Sequence, residues 1–221
     1  KELVVRALRN ETVPRTPWVP FVGCHAAALL GRTAREYLQS TDLIVQGVSD
    51  AITRYQADGV PVAFDLQIEA EILGCELAWA DENPPAVASH PLLNRDVREL
   101  MIPTSTQGRL PIVLEAAHRL RAQHPDIALY GLITGPFTLA LHLLGPSVFM
   151  DMYDRPEKLH DVMAFCRDVA LAMTGYYLDA GCDVLALVDP MTSQIGPEHF
   201  RAFVSPFVSP IFDAVRRRGA L

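Results

Sequence analysis

The chain has 221 residues, of which 50% are hydrophobic and 20% are charged, and its formal net charge is −7 at pH 7. This composition is typical of a globular protein and excludes a disordered chain or a low-complexity scaffold. The acidic balance argues against a protein that binds the nucleic-acid backbone, because such binding needs a surplus of Lys and Arg.

Membrane and redox features of the sequence point to a cytoplasmic protein. No apolar run reaches the ~18 residues of a membrane span, and the N-terminus does not resemble a signal peptide. The cysteines are widely spaced without a CxxC pair, which is typical of reduced cytosolic thiols. They are Cys24, Cys75, Cys166 and Cys182. We predict a cytoplasmic protein with no membrane or nucleic-acid partner and with a single domain over residues 1–221.

Strands are predicted where apolar residues form short runs, each followed by a helical pattern. The predicted strands are residues 19–24, 60–64, 127–133 and 184–188. Apolar residues are almost continuous within each run, as expected for strands that are buried on both faces of a parallel sheet.

Helices are predicted where apolar residues recur at steps of three and four. The clearest segments are residues 44–55, 159–176 and 200–215. Pro206 and Pro210 are expected to bend or interrupt the last of these helices, because proline has no N–H group to donate. Residues 83–111 contain several prolines and little periodicity, so we predict a long loop there.

Alternating strands and helices predict an α/β fold with a parallel sheet. Two closures fit this order: an open flavodoxin-like sheet, or part of a (β/α)8 TIM barrel. An open nucleotide-binding sheet normally has a Gly-rich turn after its first strand, and residues 23–27 read GCHAA instead. A barrel needs eight strands. We therefore expect residues 1–221 to be the N-terminal part of a longer barrel, with about four βα units.

Functional residues in parallel α/β folds collect at the carboxyl ends of the strands. The candidates at the four predicted strand ends are Cys24 and His25; Asp65, Gln67 and Glu69; Thr134, Phe137 and Thr138; and Asp189, Met191, Thr192 and Ser193. Asp65 has the strongest case, because a partly desolvated carboxylate is a typical functional group.

Each candidate also has a structural alternative. Asp65 and Asp189 are residues that commonly cap helices, and Glu71, beyond Glu69, is expected to be solvated. His142 follows Thr138 by one helical turn, so we place it at the rim of the same pocket. No HExxH motif or compact set of metal ligands is present, so the sequence predicts no metal site within this chain.

Several of these strand-end segments resemble the uroporphyrinogen decarboxylase superfamily. The similar segments are residues 63–75, residues 131–144 (GLITGPFTLALHLL) and residues 180–203 (AGCDVLALVDPMTSQIGPEHFRAF), with a weaker likeness at residues 7–17. The resemblance implies a (β/α)8 barrel of ~350 residues, which agrees with the partial barrel expected above.

The resemblance implies two enzyme branches, which differ in their residues. The decarboxylase branch has an Arg-Gln-Ala-Gly-Arg motif that holds substrate carboxylates, where this chain has GCHAA; Arg32 and Arg35 follow and are candidates to compensate. Its Asp that binds pyrrole N–H groups corresponds to Asp65, whereas its Tyr and Ser correspond to His142 and Pro190. A tetrapyrrole with eight carboxylates needs fixed cations.

The Asp-Pro turn with Thr192 and Ser193 resembles the methyltransferase branch instead. That resemblance implies methyl transfer from a methylated corrinoid to a small-molecule thiol, with zinc as a cofactor. The zinc ligands are expected beyond Leu221. It also implies a corrinoid protein as a partner and leaves a homodimer open.

We interpret the chain as a methyltransferase-type member. The alternatives are a cofactor-free uroporphyrinogen decarboxylase of porphyrin biosynthesis, or a tetrapyrrole- or corrinoid-binding protein without turnover. Asp65 is the predicted catalytic residue. The predicted substrate-binding residues are His25, Glu69, Thr134, Phe137, His142, Asp189, Met191 and Thr192.

Overall fold

A computed structural model describes residues 1–221 of the protein. Its strands are β1 (Gly59–Pro61), β2 (Leu77–Ala78), β3 (Ala86–Val87), β4 (Ala128–Thr134) and β5 (Val184–Val188). β1, β4 and β5 form a parallel sheet in that order, whereas β2 and β3 form a separate antiparallel pair. The parallel sheet grows in one direction along the chain, as a barrel requires.

The helices alternate with the strands of the parallel sheet. They are α1 (Glu2–Leu8), α2 (His25–Leu29), α3 (Ala34–Leu38), α4 (Thr41–Tyr55), α5 (Ile68–Ile72), α6 (Leu110–Gln123), α7 (Pro136–Leu144), α8 (Ser147–Asp154), α9 (Pro156–Asp179), α10 (Pro197–Phe203) and α11 (Ser205–Arg217). Short 3-10 turns form at Pro91–Leu93, Val97–Glu99 and Pro190–Gln194. No helix is both long enough and apolar enough to cross a membrane.

Three of the four predicted strands are confirmed, and the first is wrong. Residues 19–24 form no strand. Pro17 precedes this region and Pro20 lies within it, and neither can donate a backbone hydrogen bond to a ladder with β1. The backbone just before the segment is held at Trp18, whose carbonyl accepts the Asp58 N–H at 2.9 Å, and Phe21 packs edge-on against Phe64 and Tyr130. The Trp18 N–H in turn donates to Asp58 Oδ2 at 2.8 Å.

The predicted helices are confirmed as α4, α9 and the pair α10–α11. The last segment is interrupted at Val204, and Pro206 lies in the first turn of α11, where its missing N–H costs nothing. Pro210 is accommodated inside α11. Residues 83–109 form the predicted long loop, which contains β3 and two 3-10 turns and which we call the excursion. α6 begins at Leu110, before the predicted end of the loop at residue 111.

The main core lies between the sheet and its helices. α1 covers the amino ends of the strands. All seven residues of β4 are buried, in agreement with its continuous apolar sequence. The sequence analysis missed α1, whose Val4 packs against Ala128, Tyr130 and Val184 at the amino ends of the strands. This closure leaves the carboxyl ends of the strands as the place for a site.

Candidate functional site

The carboxyl ends of β1, β4 and β5 bring most of the predicted site residues together. Segment 65–71 comes shortly after β1, segment 134–142 begins at the last residue of β4, and segment 189–192 follows β5 directly. Hydrogen bonds connect neighbouring segments: Thr134 contacts Glu69, and Thr138 contacts Asp189. We call this region the strand-end site.

Asp65 belongs to a largely buried ion cluster in which Arg109 binds both Asp65 and Glu71. Arg109 Nη1 donates to Asp65 Oδ2, and Arg109 Nε donates to Glu71 Oε2 at 2.7 Å. The other oxygen of Asp65 accepts the Gln67 N–H at 2.8 Å. The Asp65 side chain is 0% exposed and that of Arg109 only 7%, so both carboxylate oxygens are enclosed and engaged.

Arg109 reaches Asp65 because the excursion turns sharply just before α6. Gly108 has φ +53°, and a Cβ at this position would lie 2.7 Å from Ile72 Cγ1 of α5. Only glycine permits both the conformation and the close approach. Glu71 was expected to be solvated; its side chain is 30% exposed and also pairs with Arg109. The sequence analysis missed Arg109, whose partners lie 38 and 44 residues away along the chain.

Trp79 covers the outer side of this cluster. The Arg109 guanidinium lies 4.9 Å from the centroid of the indole ring, within the range of a cation–π contact. Arg35 lies 6.0 Å from the same ring, whereas Arg32 pairs with Glu36 at 3.7 Å on the surface. Neither Arg32 nor Arg35 therefore bonds to a group of the ion cluster.

Glu69 connects α5 to the end of β4 and is 2% exposed. Its carboxyl oxygens accept from the Thr134 N–H and approach Thr134 Oγ1, both at 2.9 Å. Burial raises the pKa of Glu69, and the hydrogen bonds from Thr134 oppose this shift only in part. Both residues were predicted to bind substrate, and the structure places both in the closed base of the strand-end site.

Asp189 caps α7 from the end of the neighbouring strand. Its carboxylate accepts the backbone N–H groups of Phe137 and Thr138 at 3.1 and 2.7 Å, and the Thr138 hydroxyl at 2.6 Å. Burial raises the pKa of Asp189, while these same bonds lower it. Thr138 Oγ1 also accepts the Met191 N–H at 3.2 Å. The structure thus gives Asp189 a capping role on α7, whereas the alternative had expected it to cap the helix that follows it.

The other residues that were predicted to contact a ligand are either buried in the core or at least partly exposed. The Phe137 ring is 0% exposed and packs edge-on against Phe149, so it belongs to the core. Met191 and Thr192 are half-buried, and the Thr192 hydroxyl donates to the Asp189 carbonyl at 2.7 Å. His25 is exposed on α2 and contacts Tyr55 Oη of α4 at 2.6 Å.

His142 contributes a neutral imidazole at the rim. Burial lowers the pKa of His142 to about 4, so the ring is uncharged at neutral pH. Its Nδ1 has no hydrogen-bond partner within the chain, and its carbonyl accepts from His90 Nδ1 at 2.8 Å. This nitrogen is buried as well as unpartnered, so the ring keeps one unused hydrogen-bonding group inside the chain.

The residues of this chain do not fit a zinc site. No group of three or more His, Cys, Asp or Glu residues has a metal-binding arrangement. Burial, assisted by the charge of Asp65, raises the pKa of Cys24 to about 11, whereas zinc binds thiolates. Burial likewise raises the pKa values of Cys75 and Cys182 to about 12.

Known proteins similar to this chain come from both enzyme branches. The methylcobamide:CoM methyltransferase MtbA of Methanosarcina acetivorans is 27% identical over 224 residues, covering 98% of this chain and 66% of that protein. The uroporphyrinogen decarboxylase of Mycobacterium tuberculosis is 30% identical over 175 residues, covering 76% of this chain and 48% of that enzyme. This chain therefore spans less than two thirds of the length of either relative.

A solved structure confirms the fold. A methyltransferase from Methanosarcina mazei superposes with a TM-score of 0.90 at 23% sequence identity, over 97% of this chain and 66% of that chain. The (β/α)8 assignment is thus confirmed as part of such a barrel. The family model described as uroporphyrinogen decarboxylase (URO-D) matches residues 1–220. The chain belongs to the uroporphyrinogen decarboxylase (URO-D) family.

Proposed function

We propose that the protein transfers a methyl group from a methylated corrinoid to a small-molecule thiol, and that residues 1–221 supply the first βα units of its barrel. The observation that supports this best is the extent of similarity. A protein named as a methylcobamide:CoM methyltransferase matches 98% of the chain, whereas the decarboxylase from M. tuberculosis matches 76%. A corrinoid protein as partner, a homodimer and a cytoplasmic location remain predictions of this proposal.

The charges at the strand-end site also favour a methyltransferase. Arg109 is the one buried arginine of the chain, and its charge is already shared between Asp65 and Glu71. Residues 23–27 contain no arginine. A tetrapyrrole with eight carboxylates would find no unpaired buried guanidinium here, and like charges would oppose its binding.

We assign ligand contact to the groups that remain open at the strand-end site. His142 has a neutral ring with a buried, unpartnered Nδ1, and Met191 and Thr192 are half-buried residues of the same strand-end site. His25 contacts Tyr55 on the surface and stays a predicted ligand residue without a contact to this set. Glu69, Thr134, Phe137 and Asp189 are closed by their own contacts, so we give them the role of holding the strand ends in place. Zinc dependence remains part of the proposal, with ligands from outside residues 1–221.

The decarboxylase alternative depends on Asp65, which occupies the position of a substrate-binding carboxylate in that branch. Its catalytic role stays a prediction. Both oxygens of Asp65 are engaged and enclosed in this structure, so a ligand would have to displace Arg109 to contact them.

The deciding experiment uses protein made from the complete gene. We expect methylcobalamin and coenzyme M to yield the methylated thiol and a demethylated cobalamin. The reaction is monitored by the change in cobalamin absorbance. Elemental analysis of the same protein should find about one zinc per chain. Decarboxylation of uroporphyrinogen without methyl transfer would contradict the proposal in favour of the lyase. Cobalamin binding without either reaction would contradict it in favour of a binding protein.

A further inference from the structure

We propose that Asp65 and Glu71 determine ligand specificity by occupying Arg109, so that the strand-end site refuses ligands with several carboxylates. The inference rests on the proposed function, because it assigns the protein a ligand that does not need this guanidinium. Under this inference, Asp65 opposes tetrapyrrole binding and does not itself contact the tetrapyrrole.

The geometry of the ion cluster supports this role. Arg109 donates through Nη1 to Asp65 and through Nε to Glu71, which are two separate edges of the guanidinium. Two carboxylates against one guanidinium leave the cluster with a formal charge of −1. An incoming carboxylate therefore meets net negative charge, although a buried arginine lies at the site.

Arg109 is also poised to bind an anion if a partner is removed. Its Nη2 is buried and has no hydrogen-bond partner in the chain. The cation–π contact with Trp79 holds the guanidinium plane without using any N–H group. Loss of the Asp65 charge would leave Nη1 without its charged partner, so that Nη1 and Nη2 together present one edge of the guanidinium in the geometry that binds a carboxylate.

A binding series with uroporphyrin, a stable fluorescent porphyrin with eight carboxylates, tests the inference without turnover. We expect Asp65→Asn to bind uroporphyrin about tenfold more tightly than the wild type by fluorescence anisotropy, since a charge-assisted hydrogen bond is worth at least this factor. The gain should disappear in the double variant Asp65→Asn/Arg109→Gln.

Asp42→Asn is the matched control. Asp42 pairs with Arg119 of α6 at 2.6 Å on the exposed surface, so this change removes the same negative charge and frees a guanidinium on the helix that Arg109 precedes. It should change affinity by no more than about twofold. An equal gain in Asp42→Asn would overturn the inference, because the effect would then be nonspecific attraction.

Weaker binding in Asp65→Asn would overturn the inference outright, since it is the result expected if Asp65 itself contacts the tetrapyrrole. An unchanged affinity would also overturn it. Should Asp65→Asn not fold, Glu71→Gln replaces it: the Glu71 side chain is 30% exposed, and its loss should increase affinity in the same direction. Methyl transfer by the wild type is measured separately, so failure of the proposed function and failure of this inference are distinguishable.

Discussion

At the scale of single residues, the Glu69–Thr134 contact has an unusual proton arrangement. Thr134 Oγ1 lies 3.0 Å from the Leu66 carbonyl and 2.9 Å from Glu69 Oε2. A hydroxyl has one proton, and a carbonyl oxygen can only accept. Both contacts are hydrogen bonds only when Glu69 is protonated and donates to Thr134 while Thr134 donates to Leu66. This geometry agrees with the raised pKa of Glu69.

The Glu69→Gln variant should therefore remove a pH dependence of stability. Because the pKa of Glu69 is raised in the folded state, its contribution is fully present below the ordinary carboxyl pKa of ~4.3 and is lost as pH rises through the raised value. Glutamine keeps the neutral hydrogen-bond pattern at every pH. We expect the variant to gain stability relative to the wild type as the pH rises above the ordinary carboxyl pKa, measured by urea unfolding across a pH series.

Glu115→Gln is the control for this measurement, since Glu115 is an exposed glutamate on α6. Its unfolding free energy should stay parallel to that of the wild type across the same pH range. The neutral-Glu69 interpretation is contradicted if the Glu69→Gln curve is parallel as well.

At the scale of elements, Asp189 ties β5 to α7 across the parallel sheet. This contact requires the backbone at Gly135 to approach Asp189 closely. A Cβ at Gly135 would lie 2.5 Å from Asp189 Oδ2 and closer still to the Asp189 Cβ, so any side chain there pushes Asp189 away from the helix N-terminus. The glycine in the sequence TGPFT is thus explained by a tertiary contact.

We expect Gly135→Ala to destabilise the protein by about 2–4 kcal/mol in chemical unfolding, through overpacking and loss of the cap on α7. Gly175→Ala is the matched control. Gly175 lies within α9, and its nearest potential contact is Arg218 Nη1 at 3.8 Å. Alanine there should stabilise the helix by up to about 1 kcal/mol. Destabilisation of similar size in both variants would contradict the role assigned to the Gly135–Asp189 contact.

Local patterns account for the elements that could be predicted from the sequence. Apolar runs and helical periodicity are local, so β4, β5, α4 and α9 were predicted with nearly correct bounds. Strand ends followed from them, and so did the grouping of Asp65, Glu69, Thr134 and Asp189. Arg109 could not be predicted, because nothing within the excursion indicates partners that lie 38 and 44 residues away.

At the scale of the whole molecule, β5 is an edge strand with an apolar groove beside it. Leu221 already lies along this edge, since its carbonyl accepts the Leu185 N–H at 2.7 Å. A groove of about 300 Å³ runs between β5 and α11, lined by Leu187, Ile211 and Phe212 among others. Open edges with apolar neighbours favour association with another strand or chain.

Phe212→Lys tests whether this groove is a contact surface, because the Phe212 side chain is 43% exposed while it lines the groove. In residues 1–221 alone, we expect the charge to reduce self-association in sedimentation velocity without loss of folding stability. In protein from the complete gene, where further βα units of the barrel would cover the groove, the same change should lower stability by about 1–3 kcal/mol. Met101→Lys, at an exposed position outside the groove, should leave both measurements unchanged. Equal stability of Phe212→Lys and Met101→Lys in the longer protein would mean that this groove stays open to solvent.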